Sequence, residues 1–195
     1  ENGNIHRVYF IEKILSTTLA KISNYVPEGG IWMNTQRPEW NDANNALVGN
    51  GISMVTLYYL RRFLHFFDTI LGNTTLDEIS VSSELMDFYK ATRRVFENNR
   101  DILSTGISDL QRKEMLDGLG EVASDYRMHI YNQSFWGKKR SISISGLKGF
   151  IKDVLDQIDH TIKVNKRPDD LYHAYNLLTV ESDKVSVSYL SEMLE

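Results

Sequence analysis

Apolar side chains recur every three or four residues over several long stretches of the chain, which is the spacing of one face of an α-helix. The first stretch holds six such positions, Ile5, Val8, Ile11, Leu15, Leu19 and Ile22. The same spacing predicts helices over residues 5–24, 52–71, 82–98, 108–132 and 146–164, and a further helix that begins near residue 188. The second of these helices is apolar nearly all round, which is typical of a helix buried between neighbours.

Turn-forming and capping residues mark the ends of these helices. Ser108 and Gln111 have the spacing of a capping box at the start of the fourth helix. Ser145 is the predicted N-cap of the fifth helix. Gly72 and Asn73 end the second helix, as C-terminal punctuation commonly does.

Few stretches alternate between polar and apolar residues in the manner of a strand. Residues 140–145 indicate one short strand, and residues 177–180 and 185–187 predict a hairpin around Ser182-Asp183. We therefore predict an all-α fold of helical hairpins, with a minor β-hairpin near the C-terminus. We expect a single helical domain over residues 1–195, and its start without Met and its end within a predicted helix indicate a piece of a larger protein.

Composition and charge narrow the classes of partner. The chain has 195 residues, 42% of them hydrophobic and 25% charged, and a net charge of −4, which suits a globular domain and argues against a nucleic-acid surface. No apolar run reaches the roughly 18 residues that a membrane span needs, so we expect no membrane partner. The polar start shows no leader and favours the cytoplasm over secretion. The absence of cysteine excludes disulfides and thiolate metal sites, and no metal or cofactor is expected.

The connection between the first two helices has an unusual composition. Residues 31–51 concentrate Asn, Asp, Glu, Arg and Trp between two apolar helices, and long connections of this kind are usually functional. Sugar sites need this mixture, because aromatic faces stack on a pyranose ring while amides and carboxylates bond its hydroxyl groups. Cleavage of a glycosidic bond further needs a protonated carboxyl group next to the bridging oxygen.

One segment of this connection resembles a known family. The run Trp40-Asn41-Asp42-Ala43-Asn44-Asn45, followed by Leu47 and Gly49, is similar to the Trp-Asn-Asp loop of the cellobiose-phosphorylase family and related six-hairpin glycosidases. The resemblance implies an α/α toroid of paired helices, of which this chain would supply about half and the remainder of the same barrel would be its partner. It also implies that Asp42 is the general acid. Two departures are Glu39, where the family often has Asp before the Trp, and Ala43-Asn44-Asn45, where it often has Gly-Met-Asn.

Several residues around Asp42 and further along the chain are candidates for substrate binding, and most of them have a structural alternative. Asp42 itself could be a turn or N-cap residue. Glu39 is a substrate contact or a surface charge, and Arg37 binds substrate or pairs with Glu39. Asn41 and Asn45 are candidate hydroxyl ligands, Asn45 with a helix cap as its alternative. The remaining candidates are Trp40 and Trp32, which stack on sugar or fill the core, and Tyr172 and His173, which lie in a segment typical of a barrel rim. The alternative for His173 is a structural role, which is more common for an isolated histidine.

The sequence thus predicts a carbohydrate-active enzyme that acts on an oligosaccharide or glycoside. The leading hypothesis is an inverting glycoside hydrolase with Asp42 as general acid. The alternatives are a glycoside phosphorylase, or a non-catalytic helical module that binds carbohydrate or another protein.

Overall fold

The computed structural model describes residues 7–34, 46–133 and 135–190. The helices in these ranges are α1 (Phe10–Ile22), α2 (Met54–Gly72), α3 (Ser83–Asn98), α4 (Ile102–Thr105), α5 (Asp109–Gln133) and α6 (Ile144–Val164). The strands are β1 (Tyr25–Val26), β2 (Gly30–Trp32), β3 (Gly51–Ser53), β4 (Glu78–Ser82), β5 (Lys139–Ser143), β6 (Tyr175–Val180) and β7 (Val185–Tyr189).

The expectation of an all-α fold that forms part of an α/α toroid is wrong. Five strands form an antiparallel sheet in the order β1-β2-β3-β6-β7, and β4 pairs with β5 in a second, two-stranded sheet. The predicted hairpin is present as β6 and β7, but it belongs to the larger sheet because β6 also pairs with β3. The fold is therefore mixed, with helices packed around antiparallel strands.

Four described strands were not predicted from the sequence: β4, which has five residues, and three that are very short. β1, β2 and β3 have only two or three residues each, too few for a repeating pattern. The helix expected to begin near residue 188 is also wrong at its start, because residues 188 and 189 belong to β7. Whether a segment forms a strand depends on a pairing partner that a local sequence pattern does not reveal. The missed strands and the wrongly predicted helix therefore have the same cause.

The helices enclose one main apolar core. It is formed by the inner faces of α1, α2, α3, α5 and α6, with Leu19, Leu57, Phe96, Leu119 and Phe150 among its fully covered members. A smaller cluster lies between the large sheet and α5, and its members are Val26, Ile52, Leu116, Leu178 and Val185. No described helix is long and apolar enough to cross a membrane.

The second predicted helix is less buried than its composition indicates. Leu57, Leu64 and Phe67 of α2 are covered, but Tyr59 is 67% exposed and Phe66 is 60% exposed. The prediction of a helix buried all round is therefore wrong. An apolar composition does not specify how many neighbours a helix has.

Of the two predicted helix N-terminal caps, one is confirmed and the other is wrong. The Ser108 N–H donates to Gln111 Oε1 at 3.0 Å and the Gln111 N–H donates to Ser108 Oγ at 3.3 Å, which confirms the capping box. At the fifth predicted helix the N-cap is Ser143, whose Oγ accepts the Gly146 N–H at 3.1 Å. Ser145, the predicted cap, instead lies in the first turn of α6.

This difference predicts unequal effects for two neighbouring serines. The change Ser143→Ala removes the cap of α6, and we expect it to lower the free energy of unfolding by about 1 kcal/mol. The matched control Ser145→Ala changes another exposed serine two residues further on and should change stability by less than about 0.5 kcal/mol. Urea unfolding followed by circular dichroism measures both, and a larger loss for Ser145→Ala would contradict the assignment of the cap.

Candidate functional site

The segment with the predicted chemistry connects two strands of the large sheet. It runs from the end of β2 to the start of β3, which pair antiparallel through Ile31 with Ser53 and Trp32 with Ile52. Residues 35–45 lie outside the described part of the chain. These include the predicted acid and five of its predicted neighbours, Arg37, Glu39, Trp40, Asn41, Asp42 and Asn45.

The two ends of this connection are held together by hydrogen bonds. The Met33 N–H donates to the Gly51 carbonyl at 2.9 Å, and the Gly49 N–H donates to the Met33 carbonyl at 3.1 Å. Gly49 has a φ of +87°, a conformation that glycine adopts at little cost. A Cβ at Gly51 would lie 2.4 Å from the Cβ of Leu47. The backbone therefore closes tightly at this point, which we call the loop base (residues 32–34 and 46–51).

Trp32 is the side chain that links the loop base to the interior. Its Nε1–H donates to the Gly49 carbonyl at 2.8 Å, and its ring packs against the smaller apolar cluster. The core interpretation of Trp32 thus has direct support, because the indole closes the loop base and fills space under the sheet. The ring also lines a cavity next to the loop base, so the two predicted roles are compatible.

The cavity at the loop base has a volume of about 200 Å³. Its polar lining consists of Ser23, Asn24, Asn34, Ser124 and Arg127. The Arg127 guanidinium donates to Ser124 Oγ at 3.1 Å, and Arg127 is the only charged side chain among the described residues that line the cavity. A volume below the roughly 300–1,000 Å³ of most ligand sites suits one small polar group rather than an oligosaccharide.

Tyr172 and His173 lie at the opposite end of the sheet strands. The loop base is next to the Gly51 end of β3, whereas the Ala174 carbonyl accepts the Met54 N–H at 2.9 Å just beyond the Ser53 end. Trp32 and the 172–173 segment therefore lie towards different ends of β3.

Both of these rim candidates make packing contacts. The His173 ring stacks on Tyr189 with centroids 4.6 Å apart, and the Tyr172 ring meets Tyr58 edge-on at 6.2 Å. The Tyr58 hydroxyl also donates to the His173 carbonyl at 3.3 Å. These contacts tie the start of β6 to α2 and β7, which is the structural alternative for His173.

A second polar cluster surrounds the β1–β2 turn and was not singled out by the sequence. Glu28 has a φ of +60°, and its carboxylate lies 3.2 Å from the Arg112 guanidinium and 3.0 Å from His160 Nε2. Its backbone N–H donates to Thr161 Oγ1 at 3.0 Å, and its carbonyl accepts from Asn165 Nδ2 at 2.8 Å. The hydrogen-bonding groups of Glu28 are thus satisfied by the protein itself, which indicates a clamp for the turn rather than a ligand site.

Comparison with known proteins does not identify a family. No protein-family model matches the sequence, and no curated protein matches it. The resemblance of residues 40–45 to the Trp-Asn-Asp loop therefore stands as a local similarity. Among the described residues no three His, Asp or Glu side chains are grouped so that they could hold a metal ion.

Proposed function

We propose that the chain is the carbohydrate-recognising part of a carbohydrate-active enzyme and that Asp42, in the loop between β2 and β3, is the general acid of glycosidic cleavage. The observation that carries this proposal is the loop base. A segment rich in Trp, Asn and carboxylates connects two ends that hydrogen bonds hold together, next to a cavity lined by an indole, two amides, two hydroxyls and a guanidinium. The cavity holds no more than part of an oligosaccharide, but its combination of a ring face with hydrogen-bonding groups is the chemistry that contacts a sugar unit.

In this proposal the Asp42 carboxyl donates its proton to the bridging oxygen as the glycosidic bond breaks. The leaving sugar departs as an alcohol, and a nucleophile attacks the anomeric carbon from the opposite face, so the configuration inverts. The acid must therefore be protonated when the substrate binds, and burial or a like charge such as Glu39 would favour that state.

The identity of the nucleophile is a separate question. Water needs a second carboxylate as its base, but the described residues that line the cavity include no carboxylate. Phosphate is itself the nucleophile in a phosphorylase, and it needs donors such as guanidinium and hydroxyl groups. The pair Arg127 and Ser124 therefore favours phosphorolysis as the second candidate function, beside the hydrolysis that the sequence predicts.

The test compares substrates whose leaving groups differ in their need for a proton. In the full native protein, Asp42→Asn should lower turnover of alkyl or disaccharide glycosides by about 10²–10⁴-fold, because general acid catalysis contributes about that much. The same variant should cut turnover of the matching glycosyl fluoride far less, because fluoride leaves without full protonation. Release of sugar from both substrates, with and without inorganic phosphate, measures the effect and separates free sugar from sugar phosphate.

The control is Asp183→Asn, in the exposed turn between β6 and β7, which should leave both rates unchanged. Equal losses on both substrates would indicate that Asp42 supports structure and does not donate a proton. Sugar binding without turnover of either substrate would favour the non-catalytic carbohydrate-binding module and remove the general acid from the proposal.

A further inference from the structure

A second cavity lies between α3 and α5, away from the loop base. It has a volume of about 290 Å³, and Trp136, which follows α5, also lines it. Each helix contributes four residues at positions i, i+3, i+4 and i+7. These are Glu84, Asp87, Phe88 and Ala91 of α3, and Val122, Asp125, Tyr126 and His129 of α5.

This cavity is independent of the site at the loop base. Both cavities border α5, but Ser124 and Arg127 line the first whereas Asp125 and His129 line the second. On a helix with 100° between successive residues these two pairs face different directions. Binding in one cavity can therefore be tested without reference to activity at the other.

Two buried polar atoms of this cavity lack a hydrogen-bond partner among the described residues. Glu84 is 5% exposed, and its Oε1 accepts the Trp136 N–H at 2.6 Å. Its Oε2 and the Nε2 of His129 are buried and unpaired. A buried carboxylate oxygen without a donor is costly, and in native structures such an atom calls for a specific explanation. A ligand that brings hydrogen-bond donors would supply the missing partner of Glu84.

The charged side chains around the cavity indicate whether the ligand is a cation or an anion. Its described lining holds three carboxylates, Glu84, Asp87 and Asp125, and no lysine or arginine. Arg140 from β5 neutralises one of them by pairing with Asp87. The remaining two carboxylates favour a cation.

The walls of the cavity are aromatic. Phe88 and Tyr126 stack with centroids 4.6 Å apart, and Trp136 meets the His129 ring edge-on at 4.8 Å. Burial, together with the nearby Glu12 and Glu84 carboxylates, raises the pKa of the Tyr126 phenol, so this ring is neutral at physiological pH. Aromatic rings attract cations through their negative faces and cover the carbon skeleton of a small molecule at the same time.

We propose that this cavity binds a small protonated organic amine, with the ammonium group at Glu84 Oε2 and the carbon skeleton against Trp136 and Tyr126. The ammonium has three donors, of which one reaches Glu84 Oε2 and a second can be accepted by His129 Nε2 in the tautomer that leaves this atom unprotonated. The third points towards the exposed carboxylate of Asp125.

The test uses two probes of equal shape, benzylammonium and benzyl alcohol, with isothermal titration calorimetry on the whole chain. We expect benzylammonium to bind with a Kd of about 1 mM or lower and benzyl alcohol to bind at least about tenfold more weakly, because hydrogen bonds to charged groups are the stronger ones. The proposal is overturned if benzylammonium does not bind at about 10 mM, tenfold above the expected Kd. It is also overturned if both probes bind equally well.

The variant Glu84→Gln removes the charge and keeps the Oε1 that accepts the Trp136 N–H. It should weaken benzylammonium binding at least about tenfold and leave benzyl alcohol binding unchanged. The matched control is Glu121→Gln, an exposed glutamate of α5, which should change neither Kd. An unchanged Kd of benzylammonium in folded Glu84→Gln overturns the assignment.

A second variant keeps the proposal testable if Glu84→Gln fails to fold. Trp136 is 57% exposed, so Trp136→Leu should fold, and it should weaken benzylammonium binding about fivefold through loss of the ring face. The same affinity in Trp136→Leu as in the parent chain counts against the cavity as the binding site.

Discussion

Replacing Arg112 by methionine is expected to lower the free energy of unfolding by about 3–5 kcal/mol. Arg112 is only 6% exposed, and its guanidinium joins three separate parts of the fold. It donates to the Pro27 carbonyl at 3.1 Å, to the Val185 carbonyl at 2.9 Å and to Glu28 Oε2 at 3.2 Å, and it pairs with Asp109 of its own helix. Methionine has a similar length and no donor, so two carbonyls and one carboxylate would lose a buried partner.

Two control variants test whether the loss of stability comes from the burial of Arg112 or from its charge alone. Arg100→Met breaks the pair of Arg100 with Asp153, but the Arg100 side chain is 55% exposed, so the expected loss is below about 1 kcal/mol. Arg112→Lys keeps the charge without the planar fork of donors and should still lose most of the stability. Urea unfolding of the three variants provides the measurement, and similar midpoints for Arg112→Met and Arg100→Met would show that Arg112 does not clamp the turn.

Sequence reasoning found the long helices because each contains many apolar positions, but it missed the four-residue helix α4. α3, α5 and α6 lie within a few residues of the predicted ranges, and the capping box at Ser108 is local enough to be recognised from two residues. β1, β2 and β3 have only two or three residues each. β1 and β2 pair locally, but β3 pairs with β6, far away in the sequence. The pairing of Gly51 with Leu177 joins residues that no local pattern connects, and the all-α prediction failed at this point.

The same distinction applies to the candidate sites. The composition of residues 31–51 identified the segment, but its neighbours at the base, Asn24 and Arg127, come from the turn after α1 and from the C-terminal half of α5. Glu84 and His129 were more difficult to predict as site residues, because polar residues at i, i+3 and i+4 on a helix ordinarily form its solvated face. The one usable signal was that Glu84-Asp87-Phe88 and Asp125-Tyr126-His129 combine acidic and aromatic residues at helical spacing. Only the packing of α3 on α5 places these two sets opposite each other.

The second large effect on stability is expected at Glu12, a buried carboxylate in the first turn of α1. Glu12 is 3% exposed. Lys139 Nζ lies 2.8 Å from its Oε2, and the Ser82 N–H donates to its Oε1 at 3.0 Å, with the Ser82 hydroxyl as a further donor. Glu12 thereby joins α1 to β4 and β5. We expect Glu12→Gln to lower the free energy of unfolding by about 3 kcal/mol at pH 7, since an amide cannot accept all of these charge-assisted bonds.

The pH dependence of this loss follows from the pKa of Glu12. Burial alone would raise this pKa, but the hydrogen bonds from Lys139 and Ser82 together outweigh burial and lower the pKa below its ordinary value of 4.5. Because the folded state holds the proton less tightly than the unfolded state, the stabilisation is complete above pH 4.5. It is lost as the pH falls from 4.5 through the lower pKa of the folded state.

Unfolding midpoints of the parent chain and Glu12→Gln between pH 7 and pH 2.5 therefore provide a sharp test. The difference between them should be constant above pH 4.5 and should shrink below it, because the glutamine variant has no carboxyl to protonate. Glu78→Gln is the matched control, since Glu78 is an exposed residue of β4 that accepts a hydrogen bond from Ser141 at 2.9 Å, and it should cost less than about 1 kcal/mol. A difference that stays constant down to pH 2.5 would mean that the charge of Glu12 contributes nothing, and that shape alone holds α1 against the two-stranded sheet.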